Sequence, residues 1–482
     1  MSDGEAELRL QASIAGLVER APTVSAKRIL SDRQRQLGIG FLVLVLVGCI
    51  VDIVVTMSII VSVITVFYVG AIIYRVVIFR ASGREDTLEI VTDEEARSWP
   101  DSELPVYTVM IPAYREPEVI NELIQRVTQF DYPPDRLDVK LLIEADDDIT
   151  IAAIHAAIPG DQFELVLVPA ADPRTKPKAL NYGLGLARGE LVAIYDAEDE
   201  PEPLQLRRAA IAMMRNGPDV ACIQAKLTYH NPMQNLITKW FTIEYSLWFS
   251  FFLPGLASLG APIPLGGTSN HFRRVALQAL GAWDPYNVTE DADLGIRMYR
   301  EGYTVHVLES NTFEEANSDF VNWMKQRSRW LKGYLQTYAV HMRDPRSLRR
   351  ELGLKGMMHF TMFVGGTPVL AIVNPVFWFM TILWFVGHPA FIQAIFPAPV
   401  YYLGLLSWAF GNFLLVYVTV MSCRVAHKET FLVPALLVPL YWIMMSIAAM
   451  KALYQLIGAP NFWEKTVHGL HHAQPEPAEV AA

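Results

Sequence analysis

Gln326, Arg327, Ser328, Arg329 and Trp330 form a run that packing alone does not explain. An indole flanked by guanidinium groups is a flat stacking surface beside strong phosphate donors. Upstream, Thr289, Glu290 and Asp291 bring two adjacent carboxylates to the start of the helical pattern Ala292–Glu301. Thr289 can cap that helix, and a carboxylate there is well oriented to take a proton. Asp196, Ala197, Glu198 and Asp199 add hard oxygens suited to Mg²⁺ or Mn²⁺, ions that keep waters and bridge phosphates. Arg174, Lys176 and Lys178 precede this cluster as either diphosphate contacts or surface charge. Glu144–Asp148, EADDD, crowds like charges at a cost unless some of them accept hydrogen bonds from a base and a ribose. A stacking surface, phosphate donors, metal carboxylates and a base are together what moving a sugar off a nucleotide diphosphate requires.

These groups need a frame. The apolar, β-rich runs Val106–Ile111, Val139–Ile143, Leu165–Val168 and Leu191–Tyr195 alternate with polar or helical stretches. That pattern predicts a mostly parallel, doubly wound α/β sheet within residues 100–345. Ligands of such sheets bind beyond the carboxyl ends of the strands. Three of the four runs end there in polar clusters: Pro112–Glu116, Glu144–Asp148 and Asp196–Glu200.

The chain has 482 residues, of which 52% are hydrophobic and only 19% charged, and the excess lies at the two ends of the polar middle. Residues 37–80 are long enough to cross a bilayer of about 30 Å twice, which predicts a helical hairpin. Lys27, Arg28, Arg33 and Arg35 precede it and Arg75, Arg80 and Arg84 close it, placing both ends and the domain between the apolar segments in the cytoplasm. Asp52 falls at its outer turn. Apolar segments at 358–386, 399–422 and 431–456 predict further spans within 355–457. Three simple spans place the tail 458–482 outside, whereas a split at Gly365, Gly366 and Pro368 returns it to the cytoplasm. The aromatic stretch near 235–260 and the helix near 320–342 read as interfacial helices. Residues 1–36 are polar, with no cleavable signal pattern. The expected location is the inner (plasma) membrane, multi-pass and in contact with lipid.

A net charge of −10 provides no basic field for nucleic acid. Cys49, Cys222 and Cys423 share no metal spacing and read as small buried hydrophobes. The tail histidines His468, His471 and His472 read as solvated. The segment Asn461–Gly469 reads as a membrane-docking element in preference to a gate.

In order along the chain, Pro112-Ala-Tyr-Arg-Glu116, the acidic cluster at Glu144, Asp196-Ala-Glu198, Thr289-Glu-Asp291 and Gln326-x-x-Arg329-Trp330 resemble the family 2 glycosyltransferases with a GT-A domain. The likeness is greatest to the processive membrane branch of cellulose synthase, hyaluronan synthase and bacterial β-glucan synthases. The resemblance implies that Tyr114, Glu116 and one of Glu144 or Asp146 hold uridine, with Lys178 near the nucleotide. It implies Asp196 and Glu198 as ligands of Mg²⁺ or Mn²⁺, and Asp291, beside Glu290, as general base. Gln326, Arg329 and Trp330 would meet the pyrophosphate and acceptor sugar, and Gly267–Asn270 with Arg273 would form the acceptor-side loop. Two departures stand out: Glu198 replaces the usual Asp, so Asp199 is an alternative ligand, and EADDD lacks the usual Gly.

The expected reaction is inverting transfer from a UDP-sugar, UDP-glucose in the first instance, to a β-linked polysaccharide with coupled export. The rivals are transfer of one sugar to a polyprenyl or other lipid and, further off, a non-enzymatic transporter. With no cyclic-dinucleotide module visible, regulation or export would need partner proteins.

Overall fold

The computed structural model describes residues 3–83, 88–157, 162–425 and 429–464. Arg84, His468, His471 and His472 lie outside these, as do residues 465–469 of the tail motif.

Nine strands form one sheet: β1 (Leu88–Glu89), β2 (Tyr107–Ala113), β3 (Leu137–Glu144), β4 (Phe163–Val168), β5 (Leu191–Ile194), β6 (Glu200–Pro201), β7 (Val220–Tyr229), β8 (Asn270–Arg273) and β9 (Thr304–Glu314). The order is β1-β9-β7-β8-β5-β2-β3-β4, with β6 on β9. Helices cover both faces, so the central strands are buried on both sides, and the polar side chains they carry, Asp138 and Lys140 in β3 among them, are paired. All eight residues of β3 are buried.

Register explains why distant motifs meet. β2 and β3 are parallel with Ala113 opposite Ile143, and β2 and β5 are parallel with Met110 opposite Ile194. The residues that follow, Tyr114, Glu144 and Asp196, therefore leave the sheet at one edge. β8 runs antiparallel between β5 and β7, placing Asn270 opposite both Ile194 and Gln224. The loop before it, Gly267–Ser269, consequently arrives at the same edge. β7 and β9 are parallel and continue past that point to Tyr229 and Glu314.

The long helix Asp32–Ala81 is broken at Asp52, whose φ/ψ of −155°/101° is not helical. A Cβ placed on Gly48 would lie 2.7 Å from Thr56 Oγ1, although eight residues of straight helix span about 12 Å. The chain therefore reverses at Asp52. Its carboxylate accepts a 2.9 Å hydrogen bond from Val55 N, the capping arrangement expected at a helix start.

The aromatic stretch forms helix Leu236–Leu247, a π turn Trp248–Phe252 and helix Leu253–Ser258. It docks on the end of the reversed helix, with Phe79 and Phe251 stacked at 5.1 Å.

Among the described residues four helices are long and apolar enough to cross a membrane: Asp32–Ala81, Pro345–Gly387, Ala398–Arg424 and Val438–Gly458. The glycine pair does not split the second one. Thr361–Gly365 is a π turn, and the helix runs on from Gly366 to Gly387 through Pro375.

Val438–Gly458 packs lengthwise on helix Phe320–His341. Near its start Tyr441 donates to Glu244 Oε2 at 2.6 Å, and near its end Lys451 pairs with Glu464 at 2.8 Å. The chain thus comes back to the catalytic side at Asn461–Glu464. Cys222 and Cys423 are buried free thiols and Cys49 is half-buried.

The polar N-terminal segment also has structure. Helix Asp3–Arg20 buries Leu10 and Leu17, and its Ser13 carbonyl accepts a 3.0 Å hydrogen bond from Asn181.

Candidate functional site

The strand edge opens into a cavity of about 730 Å³ whose wall includes Tyr114, Glu116, Glu144, Asp196, Glu198, Glu290, Asp291, Gln326, Arg329 and Trp330. Ten of the twelve residues to which the resemblance gives a role at the nucleotide, metal, base or Arg/Trp motif therefore meet in one place; Asp146 and Lys178 do not line it. Lys178 is fully buried, its ammonium held by Glu144 at 2.7 Å and by the Ala171 carbonyl at 3.0 Å. It braces Glu144 from behind, and no charge is left over for a nucleotide. Asp146 is exposed at the rim and pairs with Arg174 at 2.6 Å. Of the two lysines the one that lines the cavity is Lys176, which bonds the Asp196 carboxylate and, at 2.8 Å, the Gly267 carbonyl. Burial opposes its charge, but Asp196, Glu290 and Asp199 outweigh that and hold the ammonium above its usual range.

Around Lys176 the carboxylates repel one another. Asp199 is buried and accepts from Thr268 Oγ1 and, at 2.7 Å, from Asp196 N. Burial and then Asp196 and Glu198 push its acid well upward, and Glu314 on the same wall is raised by burial and then by Asp199, Asp196 and Glu198. Asp199 Oδ1 is buried without a hydrogen-bond partner. Among the described residues no three His, Cys, Asp or Glu side chains gather tightly enough to enclose an ion by themselves. The donor set is nonetheless all oxygen and short of positive charge, which fits a divalent ion completed by waters and phosphate oxygens.

Asp291 and Glu290 begin helix Glu290–Arg300. Burial pushes both acids up, and the Asp291 charge pushes Glu290 further. Asp291 stands over Gly267, where an added Cβ would be 3.4 Å from its Oδ2, whereas Glu290 is only 4% exposed. Gly333 lets helix Phe320–His341 approach closely, since a Cβ there would lie 2.3 Å from Thr289. Carboxylate pair and Arg/Trp motif are thereby locked in register.

Within the motif, Gln326 Oε1 accepts from Asn317 at 2.9 Å. The Trp330 ring stacks beside Tyr245, 6.4 Å away at 25°. Arg329 feels Glu290, Asp196 and Asp291, and its guanidinium lies 4.9 Å above the Trp463 ring. Lys332 donates to the Phe462 carbonyl at 2.6 Å and Gln336 to Asn461 at 3.2 Å. Residues 461–464 therefore pack against helix Phe320–His341, with Trp463 in the cavity wall. Arg273 is absent from the wall, its guanidinium being spent on the carbonyls of Val220, Met213 and Asn216. Glu244 and Glu314 also line the cavity, and no spacing in the sequence points to them; Arg327 and Trp463 stand in motifs noted from the sequence but are given no place in the site there.

Residues 191–460, more than half of the 482, match the model for glycosyl transferase family group 2. The chain belongs to that family.

This glycosyltransferase is 27% identical over 237 residues to the probable glycosyltransferase YdaM of Bacillus subtilis, covering 48% of this chain and 56% of that one. It is 27% identical over 256 residues to a beta-monoglucosyldiacylglycerol synthase of Synechocystis, covering 52% and 53%. It is 26% identical over 275 residues to a probable glucomannan 4-beta-mannosyltransferase of Arabidopsis thaliana, covering 55% and 49%. The chain spans about half the length of the curated relatives it matches. Among solved structures, the mannosyltransferase PcManGT of Pyrobaculum calidifontis, in complex with GDP-Man and Mn²⁺, has the same fold at 19% identity and a TM-score of 0.50, covering 83% of this chain and 99% of that one.

Proposed function

We propose that this glycosyltransferase is an inverting membrane enzyme that passes a hexose from a UDP-sugar, UDP-glucose in the first instance, to the end of a growing β-linked polysaccharide. Its catalytic domain faces the cytoplasm from the inner membrane, and the product leaves between the apolar helices. One observation carries the reading: a single cavity joins Asp196 and Asp291, passes Trp330, and reaches Thr367, Asn374 and Asn412 on those helices.

In this reading Tyr114, Glu116 and Glu144 hold base and ribose, while Lys176 and Arg329 face the diphosphate. A divalent ion, when bound at Asp196 and Glu198, supplies charge neutralisation for the departing diphosphate. Trp330 is the floor under the terminal sugar of the acceptor. Asp291 takes the acceptor hydroxyl proton; the oxygen then bonds to the anomeric carbon on the face opposite the diphosphate, and an α-linked donor gives a β-linkage. A second reading, transfer of one sugar to a membrane lipid, draws support from the aromatic and aliphatic wall of Trp248, Phe252, Phe363 and Leu370.

The test is full-length protein in detergent given labelled UDP-glucose or GDP-mannose with Mn²⁺, followed by organic extraction. Polymer from UDP-glucose is the expected product. Label confined to the organic phase would replace the first reading by the second, and turnover of GDP-mannose alone would overturn the donor.

A further inference from the structure

Arg75 is a cation of the cavity wall with no role in the chemistry above. It lies on the last two turns of helix Asp32–Ala81, held there from two sides. Tyr74 shares a 2.7 Å hydrogen bond with His359 Nδ1. Ile72 packs over Gly411, where an added Cβ would lie 2.5 Å from its Cδ1. Arg75 lines the cavity within reach of the Tyr68 hydroxyl, and no hydrogen bond or ion pair reaches its side chain among the described residues. Arg327 in the same wall is paired with Glu244, and Arg329 faces Glu290 and Asp291. A guanidinium turned into an apolar chamber without an anion is costly unless a ligand supplies one.

A second orphan faces the same chamber. Asn374, from helix Gly366–Gly387, lines the cavity, and its Oδ1 is buried with no hydrogen-bond partner. Thr367 and Asn412 add polar groups, and Phe363, Leu370 and Trp248 add apolar wall. Donors of fork geometry, one waiting acceptor and a long greasy wall describe a ligand that is anionic at one end and apolar over the rest. As a charge that merely fixes topology, Arg75 would reach outward to water or headgroups. It is turned inward instead.

We propose that this end of the cavity binds the phosphate headgroup of a membrane lipid, with Arg75 on the phosphate, Asn374 Oδ1 accepting from a headgroup hydroxyl, and the chains along Phe363 and Leu370. The site requires that the apolar helices face a bilayer; it uses the same wall, Phe363, Leu370 and Asn374, as the proposed function, and its test reads binding without any transfer of sugar.

The test is full-length protein stripped of lipid in dodecyl maltoside and titrated with dioctanoyl phosphatidylglycerol, dioctanoyl glycerol or inorganic phosphate while the fluorescence of the wall tryptophans is followed. Phosphatidylglycerol should bind saturably, and the other two about tenfold or more weaker, each lacking either the charge or the chains. Arg75→Ala should lose about tenfold in affinity and Arg75→Lys only a few-fold. Arg75→Gln, which is polar but shorter and uncharged, serves where the alanine variant does not fold. Equal binding of dioctanoyl glycerol, inorganic phosphate binding as tightly as the lipid, or undiminished binding by the Arg75 variants would each overturn the site.

Discussion

Arg327 and Glu244, 83 residues apart, meet in a two-pronged ion pair with one contact of 3.0 Å. The guanidinium is also sandwiched by the rings of Phe241 at 4.2 Å and Trp330 at 4.4 Å. A buried arginine so placed fixes the orientation of the indole beside it. Arg327→Met should cost about 3 kcal/mol by leaving Glu244 uncompensated, and adding Glu244→Gln should recover part of that loss. Thermal unfolding of the single and double variants measures it; additive losses would show that the pair is not coupled.

Asp291→Asn should lower the rate of transfer about 10²- to 10⁴-fold while leaving folding intact. The wild-type acid is held above the ordinary carboxylate range, at about 6, so it is protonated and idle below that pH and competent above it. The rate should rise with pH through this region and then level off. A profile flat from pH 5 to 8 would remove Asp291 as the titrating base.

Lys176 serves as the counter-ion of Asp196, Glu290 and Asp199. Lys176→Met should destabilise the metal-free protein by about 1–2 kcal/mol, and Mn²⁺ should return more stability to the variant than to the wild type. Melting curves with and without Mn²⁺ decide it. Equal metal-induced shifts would mean that lysine and ion do not share the carboxylates.

A Cβ on Gly255 would lie 2.2 Å from the Ile78 carbonyl oxygen, a backbone atom with nowhere to go. Gly255→Ala should therefore push the aromatic segment off helix Asp32–Ala81, costing about 1–3 kcal/mol. Faster proteolysis between residues 236 and 258 in detergent is the expected sign.

The parallel half of the sheet was legible because β2, β3, β4 and β5 are short runs rich in Val, Ile and Leu, interrupted only by single charges such as Lys140 and Glu164. β8 has four residues and sits between strands distant in sequence, so no local pattern announces it. The same limit applied to the site. Lys176 and Lys178 are two residues apart at a helix start, hence on nearly opposite faces, and composition cannot tell which one turns inward. Arg327 and Arg329 pose the same ambiguity, and only the position of Glu244 resolves it. The N-terminal helix was read as plain polar segment because its buried face is little more than Leu10, Ser13 and Leu17.

The antiparallel strand β8 divides the sheet into two blocks: β2 to β5, continuous along the chain, and β6, β7 and β9 with the two-residue β1 at their outer edge. The family likeness begins at Leu191, the first residue of β5, and so falls almost wholly on the second block and the helices after it. The two blocks are joined through β8 by only four residue pairs on one side and three on the other. Such a seam is where recombination between relatives could exchange the half that carries Tyr114 and Glu144 for another while leaving the carboxylate pair, the Arg/Trp helix and the apolar bundle untouched.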